Sequence, residues 1–275
     1  MDTDLFLPLI PVALVVAAAA AVRSTWSPCG LSMLSTVTPL AEAGRGHRYR
    51  WTASWYFVGA LTGGATTGVV AAAVAALVRA AGLSTTTVAS MAAAAAVCAA
   101  ALDGRWLGPT LPHHRRQVNE DWLGRYRAWV YGAGFGWQIG TGVATYIMTA
   151  GVYLVVVLAA LTADPLVALL LCVAFGGFRG SMVLIGATIT SAERLRRAHE
   201  RIEAWREPVR RTLVVVLACA AAVLAIAGGA TPAALALAAT VACALIGVMR
   251  RGAAAPLSGD GGSVPVERTG QLTGS

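Results

Sequence analysis

The sequence predicts an all-α fold, a polytopic helical membrane protein of about seven transmembrane helices. Three observations predict it. Of 275 residues, 57% are apolar and only 12% are charged, whereas about a quarter of a soluble domain is charged. The mean hydropathy is +0.68. The apolar residues fall in runs of roughly 18 to 30, each long enough to cross a hydrocarbon core about 30 Å thick. Together these exclude a soluble enzyme, a secreted disulfide scaffold and a disordered chain.

The first run, residues 5–22, ends in small residues as a signal peptide does. Its start, Met-Asp-Thr-Asp, lacks the basic n-region such a peptide needs, so it reads as a retained span. Residues 23–40 are less apolar and carry Pro28, Gly30 and Pro39. Proline removes an intrahelical hydrogen bond, which predicts a broken or re-entrant continuation. Further spans are expected at about 51–78, 84–102, 129–161, 166–190, 212–228 and 232–249. Between the fifth and sixth, Leu195, Ala198, Ile202, Trp205 and Val209 recur at helical spacing, with Glu193–Arg197 and Glu207–Arg211 four residues apart. That pattern predicts an amphipathic helix on the inner membrane surface. The predicted organisation is a transmembrane domain over residues 1–251 and a disordered cytoplasmic tail over 252–275. Within the domain lie repeat A over 5–102, repeat B over 129–228 and an added span over 232–249.

All 21 basic residues are arginine, and their placement sets orientation. With the N-terminus outside, 18 of them fall in the inner loops 42–50, 103–127 and 191–211 and in the tail. This positive-inside bias predicts a multi-pass plasma (cytoplasmic) membrane protein, N-terminus outside and C-terminus cytoplasmic. The net charge of +8 is thereby assigned to orientation, and no nucleic-acid partner is expected. Cys29, Cys98, Cys172, Cys219 and Cys243 show no CxxC pair, which excludes a disulfide framework and a zinc ribbon. No metal site and no cofactor are predicted; His113-His114 reads as part of a solvated loop.

Two stretches are irregular in the same way: Trp26 to Thr38, and Trp137 to Thr149. Each begins with Trp and carries Gly and hydroxyl residues through a predicted span. They open successive sets of three spans, and an odd number of intervening crossings turns the second set over. That is the arrangement of an inverted three-plus-three repeat, whose broken helices form a midplane site. Pro28, Cys29, Gly140 and Thr141 are the candidate substrate-binding residues in those breaks. Arg179 joins them, because a charge in mid-span is costly unless it faces a cavity or a partner. Gly59/Gly63, Gly64/Gly68, Gly132/Gly136/Gly140 and Gly176/Gly180, each at four-residue spacing, predict close helix packing.

Ser27-Pro28-Cys29 at the first break resembles the SPC motif of CcdA and DsbD-type transmembrane proteins in the LysE superfamily. Gly134-Phe135-Gly136-Trp137 resembles the sequence preceding that family's second PC motif, and Leu169 to Phe178 resembles its glycine-weakened fifth span. The resemblance covers about residues 5–228 and implies two inverted three-helix repeats, each presenting one cysteine. In the family that pair carries reducing equivalents from a thioredoxin-like protein to acceptors outside, including the cytochrome c biogenesis pathway. Here the chain departs: after Trp137 it has Gln138-Ile139-Gly140 and no cysteine. Exchange needs a second thiol to resolve a mixed disulfide, and Cys172 is the other candidate catalytic cysteine beside Cys29.

Two function classes follow. The first is a transporter or exporter of a small solute, an anion if Arg179 binds it. The alternative is thiol–disulfide electron transfer, which would make the chain an oxidoreductase. The missing span-four cysteine tilts the sequence reading toward the first.

Overall fold

The computed structural model describes residues 3–105, 125–143 and 147–229. The predicted span at 232–249, the tail, Cys243 and the His113-His114 loop lie outside the described residues. Among those described, the chain is all-helical. The helices are α1 (Thr3–Arg23), α2 (Pro28–Thr36), α3 (Pro39–Gly44), α4 (Tyr49–Ala80), α5 (Thr85–Asp103), α6 (Ala128–Gly140), α7 (Gly151–Leu161), α8 (Pro165–Ser181) and α9 (Ala192–Ala227). Short 3₁₀ segments, Ser24–Trp26 and Met182–Thr188, follow α1 and α8. Five helical segments are long and apolar enough to cross a membrane: Pro8–Trp26, Tyr49–Ala80, Thr85–Asp103, Pro165–Thr188 and Ala192–Ala227. Large apolar side chains such as Leu77 and Ile226, 69% and 72% exposed, fit a surface solvated by lipid.

Glycine builds the centre. α4 packs chiefly on α6 and α8, and all three carry the four-residue glycine spacing. A methyl group on Gly136 would be driven into the Tyr56 carbonyl, and one on Gly140 into that of Ala60. A methyl group on Gly59 would meet the Ala133 carbonyl, and one on Gly176 the Ala60 carbonyl. Gly132, Gly136 and Gly140 climb past Thr52, Tyr56 and Ala60 in step, so α4 and α6 run parallel. Cys172, Gly176 and Gly180 meet Gly64, Ala60 and Phe57 in reverse order, so α8 is antiparallel to α4. Backbones this close leave no room for a side chain, as in small-residue packing of membrane helices.

The two expected breaks are present, each with its own physical cause. At the first, Ser27 caps α2 by accepting from the Gly30 amide at 3.1 Å, and Pro28 occupies the opening position where its missing N–H costs nothing. At the second, residues 129–161 do not form one span but the 13-residue α6 and the 11-residue α7. Irregular backbone at membrane depth must be satisfied by protein. Thr67 Oγ1 donates to the Thr141 carbonyl at 2.9 Å, and the Asp103 carboxylate accepts from Thr149 Oγ1 at 2.5 Å and from the Ala150 amide at 2.9 Å. Asp103 thus starts α7 from the end of α5.

The charged stretch after residue 191 differs from the separate surface helix expected. It continues without a break into the sixth span as α9. The ion pairs Arg197–Glu193 and Arg211–Glu207 form at 2.7 and 3.2 Å. Ile202 leaves the presumed lipid face and packs against the core around α2, and its carbonyl accepts from Trp26 Nε1 at 2.8 Å.

Candidate functional site

The re-entrant segment is anchored before it presents anything. Glu42 in α3 is fully buried. Its carboxylate accepts from Arg45 at 2.6 Å, Thr52 Oγ1 at 2.6 Å and Tyr131 OH at 2.7 and 2.8 Å. This ties α3 to α4 and α6. The sequence reading passed over Glu42 because it stands at the edge of an arginine-rich loop, where a solvated acid is ordinary.

With the segment fixed, α2 lies against α4 and α6. Cys29, Met33, Leu34 and Val37 share one core cluster with Tyr56, Phe135, Ile139 and Val183. Beside that cluster is a small cavity of about 10 Å³. Ser24 and Thr25, Gly30 and Met33, Tyr56, Ile139, and Arg179 with Met182 line it, bringing α1, α2, α4, α6 and α8 together. Arg179 and Tyr56 are 3% and 0% exposed. Arg179 stacks its guanidinium 5.9 Å from the centre of the Phe175 ring. Among the described residues, the ionisable groups that it feels are Tyr56 and Cys29, with no carboxylate among them. Tyr56 OH and Thr25 Oγ1 are buried with no hydrogen-bond partner among the described residues.

The predicted site residues therefore divide. Pro28 and Cys29 open α2 near the cavity, and Arg179 lines it. Gly140 is taken up in contact with Ala60, and Thr141 faces a separate lipid-side groove with Thr66, Thr67 and Tyr153. Their neighbour Ile139 is the α6 residue that reaches the cavity. Cys172 is buried in the larger core cluster with α1, α5, α7 and α9, against Gly64 and Gly68 of α4. No disulfide joins the described cysteines, and Cys98 and Cys219 are exposed. Tyr56 and Thr25 were missed. Tyr56 did carry a signal: it stands three and four residues before Gly59 and Ala60, on the packing face, where a hydroxyl must find a partner.

Fold and site define an integral, multi-pass helical membrane protein with a buried cationic and thiol-bearing centre. The chain is distantly related to the methylamine utilization protein MauF of Methylorubrum extorquens, with 29% identity over 162 residues. That match covers 57% of this chain, which spans about half the length of the relative, at 55%. No family model matches the chain, and no solved structure matches it.

Proposed function

We propose that the chain is a membrane thiol–disulfide carrier on a CcdA/DsbD-like scaffold, with Cys29 as its exchanging sulfur. The observation that carries this reading is the placement of Cys29, in the first turn of α2 next to Gly30, which lines a small cavity together with Arg179. Sulfur attacks or leaves as the thiolate, so an exchanging cysteine needs a setting that a partner thiol can reach. The setting carried over from the relative, methylamine utilization, enters as part of the proposal.

One cysteine suffices if both partners are dithiols. Cys29 thiolate attacks the disulfide of an acceptor, forming a mixed disulfide and releasing one acceptor thiolate, which takes up a proton. A thiolate of a thioredoxin-like donor then attacks the Cys29 sulfur and frees the second acceptor thiol. The donor's other thiol closes the donor disulfide and returns Cys29 reduced. Two electrons pass from donor to acceptor, and no second cysteine of this chain is consumed. Cys172 lies seven residues from Arg179, about 10 Å along α8, in the other core cluster, so resolution is assigned to the partner.

Helix pairing supports the inverted repeat that such a carrier uses. With α1 matched to α6–α7, α4 to α8 and α5 to α9, the matched elements pack on one another. The contact of α4 with α6 is mirrored by that of α8 with α1. A second reading, transport of a small anionic solute, is favoured by the absence of a carboxylate around Arg179 among the described residues. A variant with all five cysteines replaced by serine separates the two. Loss of function, restored by returning Cys29 alone, is the expected result; full function without cysteine would end the thiol reading and favour transport.

A further inference from the structure

A guanidinium buried in an apolar bundle must be balanced by a counter-charge or by dense hydrogen bonding. Arg179 has no carboxylate among the ionisable groups it feels, and its ring contact with Phe175 satisfies no N–H. Tyr56 and Thr25 also line the cavity, and their hydroxyls are buried without a partner among the described residues. Buried hydroxyls without partners are rare in native proteins, and a bound water or ion is one way of satisfying them. Gly30, in the first turn of α2, also lines the cavity, so the positive end of that helix adjoins it.

We propose that the cavity bounded by Arg179, Tyr56 and Thr25 binds one small inorganic anion of halide size. Its volume of about 10 Å³ holds a single water-sized body, which excludes organic carboxylates and phosphates in this conformation. Met33, Ile139 and Met182 form the apolar part of its wall. Arg179 supplies the charge, while the Tyr56 and Thr25 hydroxyls donate their protons to the ion. The inference shares an anionic ligand with the transport reading, but it concerns binding and stands whether or not Cys29 exchanges disulfides.

The test uses the full chain purified in detergent, with sodium chloride, bromide or gluconate at equal ionic strength. Chloride and bromide are expected to raise the unfolding midpoint saturably over gluconate. Thr25→Val and Tyr56→Phe preserve side-chain volume and remove one donor each. Each is expected to weaken the halide dependence about tenfold, the loss of one charge-assisted hydrogen bond; Arg179→Gln is expected to abolish it. Bromide anomalous scattering at Arg179 in crystals grown in bromide is the direct readout. Equal midpoints in chloride and gluconate would overturn the proposal, as would a halide effect indifferent to Thr25→Val and Tyr56→Phe. Cys29→Ser is expected to keep the halide dependence, so failure of the anion site and failure of thiol exchange are read separately.

Discussion

Two buried thiols sit in separate apolar clusters, and they differ in what lies next to them. Cys29 packs with Met33, Leu34 and Tyr56 and precedes Gly30 on the cavity wall, whereas Cys172 is enclosed by apolar side chains and glycine backbone. Reactivity follows access, so a small membrane-permeant alkylating reagent should modify Cys29 about tenfold faster than Cys172. Peptide mapping of a chain with Cys98, Cys219 and Cys243 changed to serine measures this. Equal rates would remove the basis for choosing Cys29. Glu42 presents the complementary case, a buried charge fully met by its neighbours. Glu42→Ala takes the acceptor from the Thr52 and Tyr131 hydroxyls and should cost about 2 kcal/mol, the usual penalty for leaving buried donors unmet. Glu42→Gln keeps an acceptor and should cost less. A thermal midpoint unchanged by Glu42→Ala would show that this cluster does not hold α3 in place.

Helix pairs obey a rule that can be read from spacing, up to a point. Glycines four residues apart announced which faces of α4, α6 and α8 would meet, because small residues on one face let backbones approach. Gly136→Ala should therefore destabilise the protein by about 1–3 kcal/mol, as overpacking does, since the new methyl group has only the Tyr56 carbonyl to displace. Gly177→Ala is the control on a neighbouring helix: its methyl group meets the movable Leu61 side chain at 3.3 Å. Unfolding of both variants in the same detergent should separate them clearly, and equal losses would mean helix propensity, not approach, is being measured. The break at Gly140 was legible for the same reason. Other features were not. Periodicity assigns a face to Tyr56 and Thr25 but not the register that brings α1 and α4 to one cavity. The continuity of α9 was hidden by Pro208 and by a change from charged to apolar residues, both of which resemble a boundary. Asp103 reads as the start of a loop, and only the fold reveals that it holds the first turn of α7.

At the scale of the molecule, the helix directions and the arginines describe one polarity. α4 and α6 begin at the same end, and α8 returns to it, as the contacts of Thr52 with Gly132 and Phe57 with Gly180 require. α9 runs antiparallel to α5: Arg210 donates to the Asp103 carbonyl at 3.0 Å, and Gly228 meets Ala89 at the other end. The charged first half of α9 therefore lies at the end where α4 starts and α5 finishes, the end that also carries Arg45, Arg48, Arg50 and Arg127. The turns at 81–84 and 162–164 lie at the opposite end. The positive-inside rule acts on short loops beside spans, and by it the arginine-rich end is the one expected in the cytosol. Reporter fusions after Gly46, His114 and His199 should accordingly give cytosolic signals, and fusions at Ala81 and Ala163 signals from the far side. Ala163 is the decisive position. It follows α6 and α7, neither of which is long enough to cross alone, so its side depends on the two halves together making a crossing. An outside signal there, with a cytosolic one at His199, means that the second set of helices enters inverted with respect to the first. A cytosolic signal at Ala163 would make the α6–α7 segment a re-entrant hairpin, and both the inverted repeat and a carrier open to two sides would fall with it.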